Sequence, residues 1–207
     1  MTYETDEEKV EAIKAWWKEN GVAIVAGLAI GVVAIVGWRY WGDYRDRVAG
    51  QASAVFDQVL ANAATGQTET VVEQTRTLEN SFRSTPYAAL ASLVEAKALY
   101  EAGQAEDAIA ALTRAIGDAP DPAIARIAAL RLARIQVAEG QLNEAVTTIA
   151  GHDTSPEFAG EFAAVRGDIA AGRGDYAEAR QAYELAIADG SGLAQLIRLK
   201  LDNLPPG

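Results

Sequence analysis

The residues that could perform catalysis are few and scattered in this sequence. The single histidine, His152, stands beside Asp153 in the loop GHDTSP, and no nucleophile with an orienting partner accompanies it. A histidine in this setting is typically a solvated loop residue. Because the chain contains no cysteine, it can form neither a thiolate nucleophile nor a zinc-thiolate site. We therefore predict no catalytic residues, no metal site and no cofactor.

The charged residues also disfavour several classes of function. The chain has 18 Lys and Arg against 29 Asp and Glu, and its net charge of −11 makes nucleic acid an unfavourable partner. The carboxylates are spread along polar helix faces, where solvated acids are the ordinary expectation. No phosphate-binding glycine loop precedes a lysine, and no HExxH pair is present. We expect no small-molecule substrate.

The stretch from Gly21 to Trp38, GVAIVAGLAIGVVAIVGW, contains no charged residue. As a helix it would rise about 27 Å, close to the thickness of a bilayer's hydrocarbon core, which is about 30 Å. All 4 tryptophans of the chain flank it, as is typical of membrane interfaces. We predict a transmembrane helix over residues 21–41 that contacts membrane lipid. A cleaved signal peptide and a buried core helix are the alternatives.

The segments next to this span leave its orientation open. Residues 1–20 are predicted to form a short amphipathic tail helix on the membrane surface, opened by the capping-box spacing Thr5-x-x-Glu8. The tail carries three lysines, and three arginines follow the span, so the positive-inside rule favours neither orientation. These residues are Lys9, Lys14 and Lys18, and Arg39, Arg45 and Arg47.

Small residues recur at every fourth position within the span, at Ala23, Gly27 and Gly31. This spacing allows two membrane helices to approach closely, although Gly and Ala are also common in spans that pack against nothing. We predict membrane-helix packing at these three positions.

Residues 42–207 are predicted to form an all-helical domain of repeated hairpins. Three of the hairpins begin with a capping residue followed by proline and turn at a glycine suited to the left-handed conformation. The pairs are Thr85-Pro86, Asp121-Pro122 and Ser155-Pro156, and the glycines are Gly103, Gly140 and Gly174. With Gly66 added, the glycines recur roughly every 35 residues, which predicts three to four stacked hairpins.

Two further patterns support the stack. Small residues lie at fixed distances from the glycines, where they would let the two helices of a hairpin cross closely. They are Ala108, Ala145 and Ala179 after the glycines, and Ala96, Ala133 and Gly167 before them. The final stretch from Leu193 to Leu204, LAQLIRLKLDNL, has the length of a C-terminal capping helix.

Several segments resemble known proteins. GQAEDAIAALTRAIGDAP, from Gly103, and GDYAEARQAYELAIADG, from Gly174, are similar to the second half of a tetratricopeptide repeat. The whole chain resembles the YfgM family of ancillary SecYEG translocon subunits. The likeness is carried by the start VEAIKAWWKENG, the span ending GWRYW, and the segments YAALASL, LRLARIQV and KLDNL.

This resemblance implies more than the residues alone establish. The fold would be a single transmembrane helix followed by a tetratricopeptide-repeat-like α-solenoid. The chain would be an inner-membrane protein with a cytoplasmic N-terminus and a periplasmic C-terminal domain. Its implied partners are the SecYEG translocon and a membrane-anchored periplasmic chaperone of the PpiD type.

The resemblance also implies a binding groove lined by the first helix of each repeat. A cation in the groove could pair with a carboxylate of a bound segment, while apolar residues bury its side chains. Apolar residues three or four positions apart along a helix are also typical of a hydrophobic core. The implied groove residues are Leu90, Leu93, Lys97 and Tyr100 in one repeat, and Ile127, Leu130, Arg134 and Val137 in the next.

We therefore predict a membrane-anchored protein-interaction adapter that performs no chemistry. Two alternatives remain open at this stage. One is a cytoplasm-facing scaffold that self-associates through Gly27 and Gly31. The other is an all-helical hydrolase, which would require a cleft with two converging acids of perturbed pKa.

Overall fold

The structure, a computed structural model, describes the backbone of residues 6–205 and side-chain environments from Lys9 onward. Within residues 6–205 the chain forms α-helices and one 3₁₀ turn, Pro156–Phe158, with no strand, which confirms the predicted all-α class. The helices are α1 Asp6–Ala64, α2 Thr68–Ser81, α3 Pro86–Glu101, α4 Ala105–Asp118, α5 Pro122–Ala138, α6 Leu142–Ala150, α7 Ala159–Arg173, α8 Tyr176–Ala188 and α9 Ala194–Asp202.

Two compact units divide the chain, Met1–Val48 and Ala49–Gly207. The described part of the first unit is a continuous portion of α1, with no helix end between the predicted tail and the predicted span. The prediction of a separate short tail helix is therefore wrong, because α1 runs without a break through the predicted span and ends at Ala64. The predicted Thr5 cap lies outside the described residues, and the membrane boundaries at residues 20 and 41 stay predictions.

One helical segment, Lys9–Ala64, includes a window long and apolar enough to cross a membrane, with a mean hydropathy of 2.4. Only 6% of this window is buried within the protein. A core helix of a soluble domain would be mostly buried, so the structure disfavours that alternative and leaves α1 as a candidate membrane span.

The second unit is a succession of helical hairpins. The residues of α1 from Ala49 onward pair with α2, α3 pairs with α4, α5 with α6, and α7 with α8. The predicted turn glycines all have positive φ angles, between 72° and 80°, which an L side chain adopts only with strain. Gly66 turns the first hairpin in the same way as the other three glycines turn theirs.

The predicted helix caps are only partly confirmed. The Asp121 side chain accepts a hydrogen bond from the backbone N–H of Ala123 at 2.8 Å, as a cap should. Thr85 precedes its helix, but its hydroxyl donates to the carbonyl of Phe82 and caps nothing. The helix predicted after Ser155 begins with the 3₁₀ turn instead, so α7 starts only at Ala159.

Small residues do allow the helices of a hairpin to approach closely. Ala108, Ala145 and Ala179 are completely buried. A Cβ atom added at Gly167 would collide with the ring of Tyr183 on the facing helix α8, so only glycine fits that position without rearrangement. The predicted closing helix is confirmed as α9, which buries Ile197 in the last core cluster.

Candidate peptide-binding groove

Three depressions in the second unit share one lining residue, Arg134 on α5. The first lies between α3, α4 and α5 and has a volume of about 280 Å³. The second, of about 340 Å³, lies between α5 and the start of α7. The third, of about 780 Å³, lies between α5, α7, α8 and α9. We call the three depressions together the groove.

The groove contains most of the residues expected to line it. Every predicted groove residue except Leu90 lines at least one of the three depressions: Leu93, Lys97 and Tyr100 the first, Ile127 and Leu130 the second, Val137 the third, and Arg134 all of them. Leu90 instead packs against the core cluster between α3, α4 and α5. A bound partner at these residues stays a prediction.

Two of the lining residues belong mainly to the core. Leu93 and Leu130 are each only 4% exposed, and both are members of buried clusters. Their repeated spacing therefore reflects helix packing first, because side chains three or four residues apart form one buried face. Tyr100, at 38% exposed, is the more accessible apolar side chain of the first depression.

The predicted cation of the first depression, Lys97, is a surface residue. Its side chain is 71% exposed, and its Nζ atom lies 3.6 Å from Oε1 of Glu101, one turn later on the same helix. Exposed ion pairs of this kind contribute little to stability, because solvent screens them and the side chains lose freedom. Lys97 can therefore leave its ion pair with Glu101 and pair with another anion with little loss of stability.

Arg134, the corresponding cation of the next repeat, has very different surroundings. Its side chain is partly buried, and the Nη2 atom is buried without a hydrogen-bond partner among residues 6–205. Burial lowers the pKa of Arg134, and the negative charges of Asp168 and Glu161 offset this only in part. The neighbouring positive charge of Arg131 lowers the pKa further.

The last repeat has an acid, Asp168, at the corresponding position. Its Oδ1 atom accepts hydrogen bonds from the hydroxyl of Tyr183 at 2.7 Å and from Nζ of Lys200 at 2.6 Å. Burial, with the hydrogen bond and charge of Asp168, raises the pKa of Tyr183. Asp168 is thus engaged by α8 and α9 and does not neutralise Arg134 by direct contact.

One part of the groove was missed by the sequence reasoning. Leu193, Leu196 and Leu199 line the third depression and are 39%, 47% and 58% exposed. A helix that merely closes a repeat stack should present a polar outer face to solvent. The signal in the sequence is a leucine at every third position of LAQLIRLKL, a spacing that fits a capping helix and an exposed apolar face equally well.

Two carboxylates do converge elsewhere in the domain, as the hydrolase alternative would require. Glu79 on α2 and Glu95 on α3 both accept hydrogen bonds from Arg114 on α4, at 2.9 Å and 2.8 Å. Burial raises the pKa of Glu95, and Arg114 offsets part of that rise. Neither acid lines the groove, and the shared guanidinium gives the cluster the composition of a structural ion-pair network.

His152 is held by the end of α6 and not by its acidic neighbour. The ring nitrogen Nδ1 donates to the carbonyl of Thr148 at 2.9 Å. Asp153 forms an ion pair with Arg166 instead. In the part of the chain that the structure describes, no acid orients the imidazole, and this loop has the features of a structural turn.

The small residues of the candidate span are open to a partner. Ala23, Gly27 and Gly31 are exposed, and a Cβ atom added at either glycine would meet nothing within 4 Å. A second helix could therefore approach the backbone of α1 closely along this line. That packing stays a prediction.

Comparisons with known proteins agree with this architecture. A family model described as "Tetratricopeptide repeat-like domain" matches residues 14–206. A Haemophilus influenzae protein named "Ancillary SecYEG translocon subunit" is 34% identical over 99% of this chain and 100% of its own length. An Escherichia coli protein of the same name is 31% identical over 98% of both chains. No solved structure matches the chain. The chain belongs to the YfgM family of tetratricopeptide-repeat-like proteins.

Proposed function

We propose that this protein is a membrane-anchored adapter of the SecYEG translocon that binds segments of other proteins in its groove. The observation that carries the proposal is the full-length similarity to proteins named ancillary SecYEG translocon subunits. The structure adds two separate surfaces suited to such a role, an exposed apolar helix and a repeat domain with an open groove. An adapter needs two surfaces because it must hold two partners at once.

The finer assignment rests on the family resemblance. The protein would reside in the bacterial inner membrane with the repeat domain in the periplasm, and its second partner would be a membrane-anchored chaperone of the PpiD type. The translocon would bind beside α1, and the chaperone would use the groove. The groove could then hold the chaperone near segments that emerge from the channel.

Co-purification tests the proposal directly. The affinity-tagged full chain is extracted from inner membranes in mild detergent, and immunoblots are made for SecY and for the PpiD-type chaperone. We expect both proteins in the eluate. SecY absent from the eluate, while SecE still co-purifies with SecY from the same membranes, would refute the association with the translocon.

Paired glycine substitutions locate the membrane contact. Gly27→Leu with Gly31→Leu covers the small-residue line of α1, and Gly37→Leu with Gly42→Leu makes the same chemical change elsewhere on that helix. We expect only the first pair to reduce the recovery of SecY. If the first pair instead dissolves a homo-oligomer seen by sedimentation, without changing SecY recovery, the self-associating scaffold is favoured.

Reporter fusions decide the orientation. Alkaline phosphatase, which is active only in the periplasm, is fused after Gly207 of the full chain. We expect activity from this fusion and none from a cytoplasm-specific fluorescent reporter at the same position. The opposite result would place the groove in the cytoplasm and refute the partnership with a periplasmic chaperone.

A further inference from the structure

The guanidinium of Arg134 has the features of an incomplete ion-binding site. Its buried Nη2 donor has no acceptor among the described residues, and a buried donor left unpaired costs free energy. The two acids whose negative charges act on Arg134 already accept hydrogen bonds from other groups. Asp168 accepts from Tyr183 and Lys200, and Glu161 accepts from the backbone N–H of Gly192 at 3.0 Å. An anion from outside the chain would supply the missing acceptor.

A second arginine strengthens the preference for an anion. Arg131 lines the first and second depressions beside Arg134, three residues earlier on the same face of α5. Its own hydrogen bond, from Nη1 to the carbonyl of Leu93, is long at 3.5 Å. Within the described residues no ion pair joins either arginine to a carboxylate, although Glu157 and Glu161 also line the second depression. Two guanidinium groups therefore lie side by side on α5 without a paired acid in that part of the chain.

The positions of the depressions indicate what must surround that anion. The first depression, with Leu93 and Tyr100, extends from Arg134 toward α3, and the third, with Leu196 and Leu199, extends toward α9. A segment that ended at Arg134 would leave one of these apolar depressions without a side chain. A segment that passes Arg134 fills both, and its anion then belongs to a side chain and not to the chain terminus, as the carboxylate of Asp or Glu does.

We infer that the groove binds a protein segment in which one acidic side chain, paired with Arg134, is flanked on both sides by apolar side chains. The inference rests on the proposed function, because it specifies the kind of segment that the adapter holds. The carboxylate accepts from the guanidinium, and the flanking side chains occupy the first and third depressions. The ion pair fixes the position of the segment, and burial of its apolar side chains contributes to the affinity.

Three synthetic peptides test the chemistry. Each peptide has ten residues, which are Leu, Ala and Ser except at the centre, and carries an N-terminal fluorescein. The first has a central Glu and an amidated C-terminus, and the second has a central Gln and an amidated C-terminus. The third has a central Gln and a free C-terminal carboxylate. Binding to the full chain in lipid nanodiscs is followed by fluorescence anisotropy, with empty nanodiscs as the blank. We expect the Glu peptide to bind about tenfold more tightly than both Gln peptides. Equal affinity for all three would overturn the inference, as would tightest binding of the free carboxylate.

Matched variants assign the binding to the groove. Arg134→Met should abolish the preference for Glu over Gln, whereas Arg198→Met, the same charge change at an exposed residue of α9 outside the groove, should preserve it. Leu196→Ser should weaken binding of the Glu peptide. Leu185→Ser, at a residue of similar exposure outside the groove, should not. If the two members of either pair had equal effects, the assignment of binding to the groove would be wrong, provided that circular dichroism shows all four variants folded.

Combining these assays with co-purification of SecY separates the two proposals. Recovery of SecY without preference for the Glu peptide would refute the groove chemistry and leave the adapter in place. Preference for the Glu peptide without recovery of SecY would refute the translocon adapter and keep the binding site. Loss of a homodimer in Arg134→Met, measured by sedimentation, would assign the groove to a second copy and overturn the inference.

Discussion

Arg114 and Arg134 both lie between helices of the repeat domain, yet their surroundings act on them in opposite ways. Although burial by itself lowers the pKa of Arg114, its hydrogen bonds and charge interactions with Glu79 and Glu95 outweigh that effect and raise it. Burial dominates at Arg134 and lowers its pKa. The first guanidinium therefore completes the packing of α2, α3 and α4, whereas the second leaves a donor for a group outside the chain.

The largest effect that would test this contrast is on stability. Arg114→Met should lower the free energy of unfolding by about 2–3 kcal/mol, because Glu95, whose side chain is 4% exposed, would lose its charged partner. This value lies at or below the low end of the range for fully buried pairs, since Arg114 is itself 41% exposed and solvent screens it. Urea unfolding of the full chain in detergent, followed by far-ultraviolet circular dichroism, measures the change.

Arg134→Met is the matched substitution in the other region. It removes a partly buried charge whose Nη2 has no acceptor within residues 6–205, so the free energy of unfolding should stay the same or rise. A loss as large as that of Arg114→Met would show that Arg134 is also a structural cation, and the contrast between the two arginines would fail.

A smaller loss is expected where the end of the groove depends on close helix contact. Gly167→Ala places a methyl group against the ring of Tyr183, which partners Asp168, and should cost about 1–2 kcal/mol by overpacking. Gly117→Ala in α4 adds the same methyl group where nothing lies within 4 Å. Helix propensity should make that control neutral or stabilising by up to about 1 kcal/mol. Equal losses in the two variants would contradict the close contact.

Tyr183→Phe tests whether Asp168 is held by α8 as well as α9. The substitution removes one hydrogen bond and keeps the ion pair with Lys200, so a loss of about 1 kcal/mol is expected from the same unfolding assay. No loss would mean that Lys200 alone holds Asp168. Asp168 would then be freer to approach Arg134 than the present account allows.

The smallest effect concerns pH. Because the pKa of Glu95 is raised in the folded state, protonation of Glu95 favours the folded protein. This contribution to the free energy of unfolding is complete below the unfolded pKa of about 4.5. It is lost as the pH rises through the folded pKa. Glu95→Gln should therefore flatten the fall in stability above pH 4.5, measured by urea midpoints.

The elements that follow from local chemistry could be predicted from the sequence. Glycines at the turns and small residues at the crossings are required by backbone sterics, so Gly103, Gly140 and Gly174 marked the hairpins correctly. The candidate span could be predicted for a similar reason, because a long uncharged apolar stretch is typical of a membrane-spanning helix. The separate tail helix was wrong because no residue between tail and span ends the helix.

Features that depend on several helices were less accessible. The sequence placed Lys97, Arg134 and Asp168 at equivalent positions, but it could not show that Lys97 pairs with its own helix and Asp168 with α8 and α9. Those distant pairings leave the Nη2 donor of Arg134 without an acceptor among the described residues. The exposed leucines of α9 were missed because the same spacing serves a buried face and an open one.

Site-specific photo-cross-linking in living cells shows whether the groove around Arg134 holds a segment of another protein. A photoreactive amino acid replaces Tyr100 or Leu196, which lie on either side of Arg134 in the groove, or Leu185, which lies outside it. We predict adducts with the PpiD-type chaperone, identified by immunoblot, from the two groove positions only. Arg134→Met should remove these adducts and Arg198→Met should not. Adducts of equal yield from Leu185, or adducts that survive Arg134→Met, would contradict the account.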